Sequence, residues 1–277
     1  MKIEDYPAQD RLSDAGEAYV AETLKRGEGV AREDVAYGDD VYQQVAVFSP
    51  EAGKANGTIL VVMHGGGWTN GYKEVMAFQA PLLTAAGIVV VSVGYRLAPA
   101  HVFPTGYEDT LQGIAWVYNN AARYGGDPKR LFVSGHSAGG HYAALMAVTR
   151  NWQQSLGLPE DVVRGWLPIS GVYDFAEGSG LSMRPRFLGP ENTGSEVAAS
   201  PLHQIDGTPS PVFMTHGEED FPHLCTQAEA MEAALAKVGC DVERDVFPSR
   251  NHFTAHLAAG EIDGPWVGRA LAWMAAH

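Results

Sequence analysis

A serine set between glycines, Gly135-His136-Ser137-Ala138-Gly139, follows the apolar run Leu131-Phe132-Val133 and leads into an Ala-rich stretch. Small residues on both sides let a strand turn sharply into a helix. Such a turn lifts Ser137 into the open as a nucleophile and aims the first N–H groups of the helix at developing negative charge. The pattern is G-x-S-x-G. In a chain with 32 glycines it also arises by accident, and an ordinary helix N-terminus reads the same way. Its weight depends on company: a serine hydroxyl needs a base for its proton, a group to orient that base, and N–H donors for the oxyanion formed when a carbonyl is attacked.

Each need has a candidate. Upstream, His64-Gly65-Gly66-Gly67-Trp68 directly follows an apolar run, and consecutive glycines there let the backbone approach a ligand and point N–H groups at it. Downstream, His216-Gly217-Glu218-Glu219-Asp220 offers three carboxylates, and Asn251-His252-Phe253 follows the last strand-like run. With ten histidines in the chain, no single one is informative by type. Position singles out His252, which comes after the last expected strand and before the last expected helix. Serine, acid and histidine in that order are what successive parallel strands deliver to one edge of a sheet.

The elements that must position these groups alternate from about residue 58 onward. Runs 58–63 and 88–93 are almost wholly apolar, as strands covered on both faces should be, and 163–169, 211–215 and 242–247 read as further strands. Helical patterns fall between them at 72–86, 107–121, 138–150, 226–237 and 265–275, the second closed by Gly125-Gly126-Asp127-Pro128. This is an α/β pattern with a mostly parallel sheet and helices on both faces. Earlier, a helix at 14–26 and an antiparallel edge strand at 41–48 are expected. Residues 175–208, rich in Gly, Pro, Ser and Asn, read as an excursion over the sheet edge. That segment and 1–30 are candidate lid or cap segments on one domain spanning 1–277.

Composition narrows the field. A formal charge of −14 repels nucleic acid and anionic membrane surfaces. No run approaches the ~20 apolar residues of a membrane span, and the acidic opening lacks an apolar signal core, so the expected location is cytoplasmic. Nothing in the sequence indicates a homo-oligomer. Cys225 and Cys240 bracket a helical stretch that, if continuous, separates them by roughly 22 Å, well past the ~7 Å reach of a disulfide. Both read as free thiols without metal-ligand spacing.

With these residues assembled, the chain resembles the α/β-hydrolase superfamily from about residue 40 to its end. Within it the resemblance is to the hormone-sensitive-lipase-like carboxylesterases and the related kynurenine-formamidase-like enzymes. The lipase-like features are His64-Gly65-Gly66-Gly67, Tyr95-Arg96-Leu97-Ala98-Pro99 with Phe103-Pro104, Asp109, and Gly126-Asp127-Pro128. The formamidase-like ones are Trp68, completing H-G-G-x-W, and Gly135-His136-Ser137-Ala138-Gly139-Gly140-His141, where lipase-like relatives more often place Asp at the position of His136. Ala100 departs from the acidic residue usual after Ala-Pro in the lipase-like group, and the N-terminal region is short for a full cap. The resemblance implies Ser137 as nucleophile, His252 as base and Asp220 as orienting acid, with oxyanion N–H groups from Gly66, Gly67 and Ala138. It implies no cofactor and no metal.

Two enzyme readings follow, a carboxylesterase and an arylformamidase acting on N-formylkynurenine-type amides, so the expected partner is a small ester or formamide. A third reading is a non-catalytic ligand-binding protein on the same fold. Trp68, His136, Tyr173, Phe175, Phe187, Phe221 and Phe253 are candidates to line an apolar pocket, some of them instead packing the core. We predict that a serine-reactive fluorophosphonate labels the wild-type chain and not Ser137→Ala. Equal labelling of the two, or none of the wild type, rules out Ser137 as the nucleophile.

Overall fold

The apolar runs read as strands form the middle of an eight-stranded sheet in the computed structural model, which describes residues 3–181 and 183–277. Met1 and Lys2 of the expected cap segment, and Ser182 of the 175–208 excursion, lie outside the described residues. In chain order the strands are β1 (Glu33–Ala36), β2 (Gln44–Phe48), β3 (Gly57–Met63), β4 (Val89–Val93), β5 (Gly126–His136), β6 (Gly165–Ile169), β7 (Val212–Glu219) and β8 (Val242–Asn251). Across the sheet the order is β1-β2-β4-β3-β5-β6-β7-β8. The β1–β2 and β2–β4 pairings are antiparallel and the others parallel. The chain therefore steps from β3 to β4 on one side and returns to lay β5 on the other. The carboxyl ends of β3 and β5 flank such a switch point, where open parallel sheets form their ligand crevice.

Alternation along the strands divides the core into two layers. Ile59, Val61 and Met63 face one, Leu60 and Val62 the other. The covering helices are α1 (Asp14–Arg26), α2 (Ala80–Ala85), α3 (Thr105–Asn120), α4 (Ala138–Val148), α5 (Trp152–Ser155), α6 (Ser195–Ala199), α7 (Pro222–Lys237), α8 (His252–Leu257) and α9 (Val267–Ala276). α1 carries its own boundaries: the Ser13 side chain accepts from Gly16 N–H, acids occupy the first turn, Lys25 and Arg26 the last, and Gly27 ends it. The resemblance motifs also have physical roles. Arg96 donates three hydrogen bonds to the buried Asp109 carboxylate, two from its guanidinium (2.8 and 2.7 Å) and one from its backbone N–H (2.9 Å), which pins the loop after β4 to α3.

Three expectations need correction. The antiparallel edge strand expected at 41–48 is β2, which is not at the edge: β1, a short and partly exposed strand with little apolar signal, pairs outside it and takes that place. The stretch 72–86 is a 3-10 segment over Lys73–Gln79 followed by the short α2. Every residue of that segment is buried. Lys73 has its ammonium 2.5 Å from Glu74, and its carbonyl accepts from Ser92. A segment enclosed on all sides has no solvent-facing stripe, and regular helix starts only where Pro81 can occupy the first turn. The cysteines do not bracket a helix: Cys225 lies inside α7 and Cys240 beyond it, both as free thiols.

The G-x-S-x-G glycines meet a steric need. A Cβ on Gly139 would overlap the carbonyl of Met63 at the end of β3, and one on Gly135 would overlap the backbone of Gly139. Gly67 is different: its φ is +60°, but nothing lies within 4 Å of where its Cβ would sit. We therefore predict that Gly139→Ala costs about 3 kcal/mol, since rigid backbone must move. Gly67→Ala should cost about 1 kcal/mol, the strain of a left-handed residue alone. Urea unfolding of both variants checks this; similar losses would contradict the close approach.

Candidate active site

β5 ends at His136, and the next residue, Ser137, takes φ 54° and ψ −115° before α4 begins. A positive φ is uncommon outside glycine, so this turn holds strain that the surrounding close contacts must enforce. Ser137 N–H donates to Ile169 O at 3.0 Å, tying the turn to the end of β6. The parallel register sets Met63 opposite Gly135, which brings the loop at 64–68 alongside Ser137. There Gly66 and Gly67 have φ of 116° and 60°. A Cβ on Gly65 would stand 2.9 Å from His136 Nδ1. The loop rests on the residue next to the serine.

β7 and β8 deliver the other two groups. Their register pairs Glu219 with Asn251, so Asp220 and His252 are the next residues on each side. His252 Nδ1 and Asp220 Oδ1 are hydrogen-bonded at 2.8 Å, with both residues buried. Glu218 and Glu219 are exposed, and Glu218 accepts from Ser249 N–H instead. Asp220 is thus the carboxylate of the three that reaches His252. Burial alone would raise its pKa. Hydrogen bonds from His252, the Ser170 hydroxyl (2.5 Å) and Phe221 N–H (2.7 Å) outweigh it and hold the carboxyl below the usual range. The backbone of His252 is set by a capping box in which the Asn251 side chain accepts from Phe253 and Thr254 N–H.

Ser137 and His252 line one cavity of about 480 Å³ together with Gly65, Gly66 and Gly67. Among the described residues, no hydrogen bond joins the Ser137 hydroxyl to His252. Both expected cap segments supply walls: Leu12 and Tyr19 from the first, Met183 and Arg186 from the second. Arg186 is ion-paired with Asp10 across them.

Residues 45–235 match the BD-FAE family model. The chain belongs to the BD-FAE family. This is a hormone-sensitive-lipase-like family of α/β-hydrolases. The chain is 32% identical over 212 residues to esterase LipQ of Mycobacterium tuberculosis, covering 70% of this chain and 49% of that protein. It spans about half the length of the curated relatives it matches. Among solved structures, the carboxylesterase EstE1 from a metagenomic library is 25% identical, with a TM-score of 0.72 and 94% of each chain covered. An esterase of the archaeon Pyrobaculum calidifontis, 23% identical, matches the fold with a TM-score of 0.77 over 94% of this chain and 93% of its own.

Of the pocket candidates, His136, Phe221 and Phe253 line the cavity of this BD-FAE chain. Trp68, Tyr173 and Phe187 do not: all three are buried in the core. Trp68 stacks on Phe187 at 4.3 Å and donates from its indole N–H to His141 Nδ1 at 3.0 Å, and Phe175 joins the same cluster. An apolar ring at a strand end has two places to go, and here the space behind the glycine loop takes these. Sequence reading missed Ser170, whose φ of 52° turns its hydroxyl toward Asp220. It also missed Tyr19, although Gly16, Tyr19 and Thr23 mark the inward face of α1 at helical spacing.

Among the described residues, no group of three or more His, Cys, Asp or Glu side chains is arranged to hold a metal ion. No helix among them is long and apolar enough to cross a membrane. Fully buried histidines are the unusual feature. Burial lowers His64 and His141 to about 4 and His256 to about 3. In the unfolded chain each takes a proton near pH 6.5, whereas the folded form resists until far lower pH. Stability from this source is complete above pH ~6.5 and is lost as pH falls toward 4, with a slope approaching ~1.4 kcal/mol per pH unit for each histidine. Urea midpoints measured at pH 7.5, 6 and 5 should decline steadily; a flat series would contradict neutral burial.

Proposed function

We propose that this chain is a serine hydrolase of small carboxylic esters that works through an acyl-enzyme. The observation that carries the reading is the 2.8 Å bond between His252 and Asp220 at the wall of the cavity that Ser137 enters. Ser137 Oγ attacks the ester carbonyl while His252 Nε2 takes its proton. The tetrahedral oxyanion is received by the N–H groups of Gly66, Gly67 and Ala138. The C–O bond to the alcohol then breaks as His252 returns the proton to the departing oxygen. Water repeats the sequence on the acyl-serine and releases the acid. Asp220, kept ionised by its three donors, holds the imidazole in the Nδ1–H tautomer so that Nε2 is free to act as base.

The relatives' names support ester over formamide: LipQ and EstE1 are named as an esterase and a carboxylesterase. The residues that raised the formamidase reading have other occupations here. Trp68 is buried against His141, away from the cavity, and both ring nitrogens of the cavity-lining His136 are engaged, one with the His252 carbonyl and the other with the Tyr19 hydroxyl. A cavity of about 480 Å³ suits a small molecule.

Asp220→Asn should lower kcat for short-chain aryl esters by about 10⁴-fold at near-constant KM, because the amide cannot enforce the required tautomer. Glu219→Gln should leave kcat unchanged. A loss below tenfold for Asp220→Asn, or a kcat/KM for N-formylkynurenine above that for every ester tried, would overturn the proposal.

A further inference from the structure

The Tyr19 hydroxyl, brought in by α1, lies 3.2 Å from His136 Nδ1 and 2.5 Å from His256 Nδ1. On its far side His136 Nε2 lies 2.9 Å from the carbonyl oxygen of His252. Donor and acceptor assignments follow from that carbonyl. It can only accept, so His136 Nε2 carries the hydrogen. Burial, with His256 and His252 beside it, lowers His136 well below the ordinary imidazole range, so the ring is neutral and Nδ1 is bare. Tyr19, which burial keeps protonated, therefore donates its single hydrogen to His136 Nδ1. Its oxygen must then accept from His256 Nδ1–H.

The opposite sense fails twice. It sets a lone pair of Tyr19 against that of His136 Nδ1, and it moves the His256 hydrogen to Nε2, a buried atom with no partner among the described residues. A bare nitrogen there is the less costly choice than an unpaired N–H. Ring contacts fix the planes as well, since His136 stacks on His256 at 4.5 Å with 1° between them.

We propose that Tyr19 is a positioning residue for His252: through a fixed tautomer of His136 it holds the backbone of the base in place, so α1 sets the geometry of the site as well as covering it. This rests on His252 being the base. Asp220 fixes one end of the His252 ring, and among the described residues no hydrogen bond fixes the other to Ser137. The aim of Nε2 therefore depends on where the His252 backbone stands, and His136 Nε2–H is the side-chain donor that holds its carbonyl.

The test combines ring-nitrogen NMR of the full chain at pH 7 with hydrolysis of p-nitrophenyl acetate. Wild type should show His136 as the Nε2–H tautomer and His256 as Nδ1–H. Tyr19→Phe keeps the ring and removes the hydroxyl. It should lower kcat roughly tenfold, less than the ~100-fold of a full ångström misplacement, with KM within about twofold and a changed His256 tautomer. His136→Gln, whose side-chain amide N–H extends toward the same carbonyl, should retain more kcat than His136→Leu. Wild-type kcat in Tyr19→Phe, equal kcat in the two His136 variants, or an Nδ1–H tautomer at His136 would each overturn the proposal. An Nδ1–H tautomer at His136 in the wild type overturns it even if a variant fails to fold. Fluorophosphonate labelling of the same samples separates the failures: a labelled wild type with unaffected Tyr19→Phe kinetics refutes the positioning role alone, whereas an unlabelled wild type refutes the reading of Ser137 and His252.

Discussion

The close approach of α4 to the end of β3 is the constraint on which the rest of the site depends. Gly139 lies where any side chain would run into the Met63 carbonyl, and Gly135 has no room for one against Gly139. That fit allows β5 to turn directly into α4, and the turn leaves Ser137 at φ 54° with its hydroxyl toward the cavity. Strain of this kind persists only where neighbours over-determine it. Here they do so from three strands: β5 carries the serine, β3 blocks its retreat, and the end of β6 accepts its N–H through Ile169. The glycine loop after β3 is positioned by the same contact, because Met63 is the last residue before it.

Two histidines flank this turn, and they work in the same way. His136 donates from Nε2 to the His252 carbonyl and His141 donates from Nε2 to the Ala199 carbonyl. At Nδ1 each faces a donor from an earlier part of the chain, the Tyr19 hydroxyl or the Trp68 indole. A neutral imidazole is a rigid ring with one donor and one acceptor on opposite sides, so it can join two segments that a flexible amide would hold less firmly. Burial keeps it neutral, and neutrality keeps the direction of each bond fixed. The same property makes these links sensitive to acid.

How much of this was legible in the sequence depended on whether the signal was local. The strands at 58–63 and 88–93 were legible because a strand covered on both faces is apolar throughout, and α1 because its caps and end charges lie within its own residues. The placing of Ser137, Asp220 and His252 at one edge was legible because a parallel sheet puts the carboxyl ends of β5, β7 and β8 on the same side. The choice of Asp220 over its two neighbours was not a matter of spacing; it rested on resemblance, and burial at the end of β7 gives it a physical reason. Ser170, Tyr19 and the burial of Trp68 behind its loop arise from contacts between segments far apart in the chain. No local pattern encodes those. The segment 73–79 went astray for a related reason, since enclosure on every side erases the stripe from which a helix is read.

What these contacts do for the chemistry follows from which groups are fixed and which are not. The ring of His252 is held by Asp220, whose carboxylate takes two further hydrogen bonds, from Ser170 and Phe221. Its backbone is held by the capping box of α8 and by His136. The Ser137 hydroxyl has no such restraint among the described residues. In the proposed mechanism this leaves the base held at ring and backbone, and the orientation of the serine hydroxyl for an arriving substrate to settle. The bond between hydroxyl and imidazole can then shorten as the carbonyl enters, which is when proton transfer needs it. On that proposal, preorganisation resides in the ring and backbone of His252 and in the backbone beneath Ser137, rather than in a bond made by the serine hydroxyl.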